Sequence, residues 1–133
     1  MKKTFIKIMT LALVAAMMCT MLVSCGGPNA NPDKAVESLK ENDYIAEKID
    51  SKLGLAVVSA FAGDVEAVVT GVSKDGKEAI TIFYYEESKA ANEAWDKVKE
   101  EMEKEADDET KIVIKKSGKM IYAGTEAAIK AAK

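Results

Sequence analysis

Carboxylates, lysines and tyrosines are the side chains through which this 133-residue chain could act as an acid or a base. The sequence contains no His and no Arg, and all 19 of its basic residues are Lys. Without an imidazole it cannot form a Ser-His or Cys-His nucleophile pair or a His-ligated zinc site, and without a guanidinium it has no bidentate clamp for phosphate. The residue types therefore exclude the commonest catalytic arrangements.

The carboxylates are the remaining candidates for catalysis, because a pair of them can hydrolyse a glycoside. Glu66 is the acid placed inside an apolar run, and strand alternation puts it on the side of Val68 and Thr70, which can face water. The acidic segment 100–109 lacks the spacing of a calcium-binding loop. We therefore expect no metal, no cofactor and no enzyme activity, with a carboxylate-dependent envelope hydrolase as an alternative.

The tyrosines provide the candidate binding surface. Tyr84, Tyr85 and Tyr122 combine a large apolar area with a polar tip, and they could border an apolar groove for a ligand or partner. The favoured interpretation is that they join Phe83 and Trp95 in a core cluster, and the binding surface is the alternative to it.

The first 24 residues have the features of an export leader. Three lysines (Lys2, Lys3 and Lys7) precede an uncharged stretch from Ile8 to Ser24. A positive start and an apolar centre are typical of a signal peptide, because the apolar side chains enter the bilayer while the lysines stay on the cytoplasmic side. An uncleaved transmembrane helix is one alternative, since about 17 uncharged residues lie at the lower limit for spanning a bilayer. An ordinary secretory signal that leaves a free thiol at the new terminus is another.

The end of this leader, Leu22-Val23-Ser24-Cys25, resembles the lipobox of bacterial lipoproteins, in which Leu and small residues precede the cysteine and Gly or Ala follows it. The resemblance implies that a diacylglyceryl group is attached to the Cys25 sulfur and that a signal peptidase cuts between Ser24 and Cys25. It implies a lipid-anchored, extracytoplasmic protein of the cell membrane or outer membrane, with the membrane bound through the acyl chains. The chain thus resembles the small envelope lipoproteins in which an export leader precedes one compact domain.

Removal of the leader changes the charge of the chain. The leader holds three Lys and no acid, so 16 Lys remain against 22 acids, a net charge of about −6. An acidic chain of this kind is a poor partner for nucleic acid and for anionic head groups, so membrane attachment depends on the acyl chains. Cys19 leaves with the leader and Cys25 is acylated, so no disulfide is expected.

The remaining chain is predicted to form one domain. We expect a signal peptide over 1–24, a lipidated Cys and flexible tether over 25–32, and a single domain over 33–133. Residues 26–32 indicate a tether because they combine Gly, Pro and Asn with no apolar residue larger than Ala. Asp33 is predicted to be the N-cap of the first helix.

Apolar spacing and turn residues predict the elements of this domain. We expect helices at 34–42, 53–62, 89–106 and after Thr125, and strands at 44–49, 65–72, 78–85, 110–116 and 119–123. A first helix that continues to Ile49 is an alternative. The run 53–62 is almost wholly apolar, so its periodicity fits a buried strand or a buried helix, and its alanines and length favour the helix.

Two further patterns indicate the fold class. Asp75-Gly76 between β-branched runs predicts a hairpin, and residues 79–85 are apolar on both sides, which predicts a central strand. The result is an α+β domain with a small antiparallel sheet and helices packed on one face. Its middle part follows the β-α-β-β-α-β order of a ferredoxin-like split βαβ unit.

The predicted function is that of a lipid-anchored extracytoplasmic binding module with an envelope protein as its partner and no nucleic acid. A sensor or carrier with a small-ligand pocket between helix and sheet is a further alternative, beside the hydrolase. A tight pocket with two convergent acids would favour the hydrolase, an apolar cavity the carrier, and an exposed strand edge or aromatic patch the binding module.

Overall fold

One antiparallel sheet of five strands organises the part of the chain that the computed structural model describes, residues 27–104 and 112–133. In chain order the elements are α1 (Pro32–Glu41), β1 (Tyr44–Ile49), α2 (Lys52–Ala62), β2 (Val65–Ser73), β3 (Ala79–Tyr85), α3 (Ser88–Lys104), β4 (Val113–Ser117), β5 (Met120–Gly124) and α4 (Glu126–Ala131). The strand order is β1-β2-β3-β5-β4, and each neighbouring pair is antiparallel. The predicted α+β class and antiparallel sheet are confirmed.

Helices cover both faces of this sheet, so the prediction that they pack on one face is wrong. On one face, Leu39 of α1 and Ile129 of α4 belong to a single core cluster. On the other face, Ala62 of α2 and Val98 of α3 belong to a second cluster. The physical reason lies in β3, which is buried along its whole length: a strand that is apolar on both sides needs cover on both faces.

The β-α-β-β-α-β order along the chain is confirmed, but the split βαβ arrangement holds only for the second half. There, β3 and β4 are parallel, α3 connects them and β5 lies between them. In the first half, β1 and β2 are direct antiparallel neighbours although α2 connects them. The chain leaves β1 at Ile49 and Ile49 pairs with Val68, so α2 begins and ends near the same end of the sheet. It therefore covers only part of that face.

The first helix begins two residues earlier than predicted. The side-chain carbonyl of Asn31 accepts hydrogen bonds from the backbone N–H of Asp33 at 2.9 Å and of Lys34 at 3.2 Å. Asn31 is therefore the N-cap, and the prediction of Asp33 in that role is wrong. Pro32 takes the first helical position, where a missing N–H leaves no hydrogen bond unmade.

Residues 27–31 are held on the domain, which corrects the prediction of a flexible tether over 25–32. The backbone N–H of Asn29 donates to the Ala132 carbonyl at 2.8 Å, and its side-chain amide donates to the Lys133 carbonyl at 3.1 Å. The Tyr84 hydroxyl donates to the Asn29 carbonyl at 2.7 Å. Composition indicates irregular backbone here, but the hydrogen-bond partners lie at the other end of the chain. Cys25 and the leader are outside the described residues.

The other predicted elements are confirmed within a few residues. The run 53–62 is a helix, and the Asp75-Gly76 turn joins β2 to β3. The β4–β5 turn has Gly118 at φ 58° in its first position, as a type II′ hairpin requires. The predicted end of the third helix at 106 and start of the fourth strand at 110 lie outside the described residues.

Candidate binding surface on α2

The second helix packs one side against the sheet and turns the other to solvent. Leu55, Val58 and Phe61 are partly buried against the second core cluster, and Ala62 is fully buried. The opposite side presents four exposed apolar residues at the i, i+3, i+4, i+7 spacing of a single helix face. We call these residues the outer stripe: Leu53, Ala56, Val57 and Ala60.

The outer stripe contains the most exposed large hydrophobic side chains of the described structure. Leu53 is 83% exposed and Val57 is 73% exposed, and Ile45 on β1 follows at 69%. No charged residue lies between Lys52, where α2 begins, and Asp64, just past its end. A surface helix normally carries polar residues on its solvent side, so this helix has a second apolar face that its own domain leaves uncovered.

Three contacts fix α2 against the core and the neighbouring helix. The rings of Phe61 and Phe83 meet edge to face, with centroids 5.8 Å apart and planes at 87°. The Tyr85 hydroxyl donates to the Ala62 carbonyl at 2.6 Å, and the Lys97 ammonium donates to the Ala60 carbonyl at 3.0 Å. The carbonyls of the last turn of α2 have no partners within the helix, and these donors satisfy two of them.

A cleft lies beside the C-terminal end of the stripe, between α2 and α3. It has a volume of about 240 Å³, below the 300–1,000 Å³ usual for a small-molecule site. Its lining residues come from both helices and the turn after α2: Ser59, Phe61, Gly63, Asp64, Ala90, Glu93, Ala94 and Lys97. Both acids and a lysine (Asp64, Glu93 and Lys97) therefore line the cleft, which makes it a poor site for an apolar ligand.

The structure brings two acids to this cleft but does not bury them. Asp64 and Glu93 are both exposed, whereas a carboxyl that acts as a general acid sits in apolar surroundings. Glu66, the acid that the sequence placed in an apolar run, is also exposed. In the described ranges, no group of three or more acids or cysteines is arranged to hold a metal ion.

The three candidate tyrosines are core residues. Tyr84, Tyr85 and Tyr122 are 4%, 1% and 2% exposed, so the favoured interpretation of a core cluster is confirmed and the alternative of an accessible binding surface at them is wrong. Tyr84 and Tyr122 lie in the core cluster under α1 and α4, and Tyr85 lies in the cluster under α2 and α3. Burial raises the pKa of all three hydroxyls, because an ionised phenol would lose its hydration.

Sequence reasoning did not identify the outer stripe, although the signal was present. The run from Leu53 to Ala62 is apolar on every side, and a helix of that composition is normally buried all round. The missing information was that α2 has the sheet on only one side.

Within residues 27–104 and 112–133, no helix is both long enough and apolar enough to cross a membrane. No protein-family model matches the chain, and no curated protein and no solved structure is significantly similar to it.

Proposed function

We propose that this protein is a lipid-anchored, extracytoplasmic domain of the bacterial envelope that works by binding another protein and not by catalysis. Two independent features support the two halves of the proposal. The leader with Leu22-Val23-Ser24-Cys25 supports the anchor, and the outer stripe of α2 supports the binding role.

The exposure of Leu53 and Val57 is the observation that carries the binding role. Burying a large aliphatic side chain is worth about 1.5–3 kcal/mol, so a partner that covers both residues gains free energy that the isolated domain leaves unused. A contiguous exposed apolar face of this kind is typical of an interaction site. The small, charged cleft beside it and the exposed acids at its rim give less support to a carrier or a hydrolase.

The anchor is tested by metabolic labelling of the full chain with a palmitate analogue, followed by mass spectrometry of the N-terminus. We expect a chain that begins at acylated Cys25. Cys25→Ser should lose the label, whereas Cys19→Ser is the matched control, because Cys19 lies in the leader outside the lipobox and its replacement should leave labelling intact. An intact Met1, a free Cys25 thiol, or equal labelling of Cys25→Ser would contradict the anchor.

The binding role is tested with a photo-crosslinking amino acid placed on the surface of the anchored protein in envelope membranes. At position 57 we expect an adduct with protein, because Val57 lies at the centre of the outer stripe. Position 127 on α4 is the control, since Ala127 is exposed on the opposite face of the sheet. Adducts only with lipid at position 57, or equal protein adducts at both positions, would refute a binding surface on α2.

A further inference from the structure

The outer stripe has a two-fold pattern of large and small residues. Large side chains stand at Leu53 and Val57 and small ones at Ala56 and Ala60, so the centre of the pattern lies between residues 56 and 57. We infer that the partner of the outer stripe is a second copy of this chain, with its α2 antiparallel across a two-fold axis at that centre. The inference rests on the proposed binding role of α2 and names its occupant.

The antiparallel arrangement matches large residues to small ones. It places Leu53 against Ala60 of the second copy and Val57 against Ala56 of the second copy. Each large side chain then occupies the space above a methyl group, as interdigitated helix packing requires. Each copy contributes the same residues to the contact, which is the isologous geometry of most homodimers.

Charges at the two ends of α2 complement one another in the same arrangement. Lys52 is exposed at the N-terminal end and is the one basic residue of α2. The cleft beside the C-terminal end carries two acids, Asp64 and Glu93, against one lysine, Lys97, so its net charge is negative. An antiparallel pair brings the Lys52 side chain of each copy to the cleft of the other, where acids outnumber lysine by two to one. A parallel pair would instead bring Lys52 beside Lys52 and Asp64 beside Asp64, which is repulsive.

A bilayer fits the same face less well. Asp64 and Glu93, which outnumber Lys97 in the cleft, would approach anionic head groups, which repel them. The described chain begins at Gly27, which lies against Tyr122: a Cβ on Gly27 would be 3.2 Å from the Tyr122 hydroxyl. Tyr122 belongs to the core cluster on the face of the sheet away from α2. Cys25 precedes Gly27 by two residues, which span at most about 7 Å. The described chain therefore begins on the side of the sheet away from the outer stripe, so the proposed anchor does not by itself bring the stripe to a bilayer.

The contact is small, so its strength depends on the anchor. Four stripe residues and the charges at their ends are fewer than the roughly 20–30 residues per side of a standard interface. Anchoring confines the copies to one surface and raises their effective concentration without any new contact. The association is therefore tested on envelope membranes that carry the full, processed chain.

A zero-length carbodiimide crosslinker, which joins an ammonium directly to a carboxylate, is the direct test. Within one copy, Lys52 and Asp64 lie at opposite ends of an 11-residue helix, roughly 16 Å apart along its axis. The reagent cannot bridge that distance, so a peptide joining Lys52 to Asp64 or Glu93 reports two copies. We expect a dimer band that contains such a peptide.

Substitutions on the stripe and at its ends make the test specific. Val57→Asp should lower the dimer yield about tenfold or more, because it buries an unpaired charge at the two-fold axis. Ile45→Asp is the matched control, since Ile45 is a comparably exposed aliphatic residue on β1 and its replacement should leave the yield unchanged. Lys52→Glu should lower the dimer yield, because it places an acid beside the acids of the other copy. The double variant Lys52→Glu with Asp64→Lys should restore the yield. For these variants the yield is measured from the dimer band and not from the crosslinked peptide, because exchanging the two charges also exchanges the ammonium and carboxylate that react.

Two results would overturn the second copy as the occupant. A dimer band that Val57→Asp does not reduce would place the contact elsewhere. Loss of a crosslink to a different protein on Val57→Asp would show that α2 binds a foreign partner, and the proposed binding role would stand without the dimer. If position 57 gives no protein adduct of any kind, the binding role itself fails together with the dimer.

Discussion

The helices α2 and α3 lie on the same face of the sheet and pack into the same core cluster, yet their outer sides differ in character. The exposed side of α3 carries acids and lysines, among them Glu100 and Lys104, whose charged groups are 3.3 Å apart. The exposed side of α2 carries the outer stripe. The helix α3 shows that a helix on this face of the sheet can have a polar outer side. The fold therefore does not require the outer side of α2 to be apolar. It is the feature that the proposed binding role explains.

The same substitution on the two helices should separate core from surface most sharply. Val98→Asp on α3 should destabilise the domain by about 5 kcal/mol, because Val98 is fully buried and a carboxylate there has no partner. That loss is comparable to the whole stability of a small domain, so the chain should be largely unfolded. Circular dichroism during urea titration of the purified chain measures it.

Val57→Asp is the matched change on α2. Val57 is 73% exposed, and Val and Asp have similar helix propensities, so the free energy of unfolding should change by less than about 0.5 kcal/mol. A loss as large as that of Val98→Asp would mean that the outer side of α2 is buried within one copy, and the contrast between the helices would disappear.

Alkaline pH should have the next largest effect, through the buried tyrosines. Burial raises the folded-state pKa of Tyr84, Tyr85 and Tyr122 above the value of about 10 that they have in the unfolded chain. The stability that the three neutral phenols contribute is fully present below pH 10. It is lost as the pH rises above 10, because the tyrosines of the unfolded chain release their protons at a lower pH than those of the folded chain. Each tyrosine lowers the free energy of unfolding by up to about 1.4 kcal/mol per pH unit, and the three together by about 4.

Urea titrations between pH 9 and 11.5 measure this slope, with the tyrosinate absorbance as an independent readout. Tyr85→Phe should reduce the slope by about a quarter to a third, since it removes one of the three buried phenols, and the half-buried Tyr44, whose pKa is also raised, adds a smaller part. A slope that Tyr85→Phe leaves unchanged would mean that lysines, and not the buried phenols, govern alkaline unfolding.

Loss of the Tyr85 hydroxyl should also loosen α2 more than α3. This hydroxyl donates to the Ala62 carbonyl at 2.6 Å, and Tyr85→Phe leaves that buried carbonyl without its donor, a loss of about 1–3 kcal/mol. Hydrogen exchange of the α2 amides should become faster than that of α3. Tyr84→Phe is the control: its acceptor is the carbonyl of Asn29, so faster exchange should appear at residues 27–31 and not in α2. Equal acceleration in both variants would show that neither hydroxyl acts locally.

The sequence was a good guide to the elements because their signals are local. Asp75-Gly76 fixed the position of one hairpin, and the length and alanine content of 53–62 correctly favoured a helix. The arrangement of helices around the sheet was predicted less well, since an amphipathic helix shows which of its sides is buried but not which face of the sheet it covers. Residues 79–85 did contain that information: apolar side chains on both sides of a central strand require two covered faces.

The candidate site was missed for the same physical reason. Tyr84 and Tyr85 lie on the strand predicted to be central, and side chains of a central strand are buried by the helices on either face, so a tyrosine surface there was inconsistent with that strand's position. The N-terminal segment was misjudged because Asn29 finds its partner in Lys133, 104 residues away. This long-range hydrogen bond has no local signature. The run 53–62 did show that α2 is apolar on every side, but not that the sheet covers only one of those sides.

The smallest expected effect concerns the contact between the two helices. The Lys97 ammonium of α3 donates to the Ala60 carbonyl in the last turn of α2, where a positive charge also favours the helix dipole. Because Lys97 is exposed, Lys97→Met should change the free energy of unfolding by less than about 0.5 kcal/mol. Lys99→Met is the control, since Lys99 lies over the ring of Trp95 on its own helix. Amide exchange resolved by nuclear magnetic resonance should show faster exchange at the end of α2 for Lys97→Met alone, and the same change in both variants would mean that the two helices are held together by their apolar contacts only.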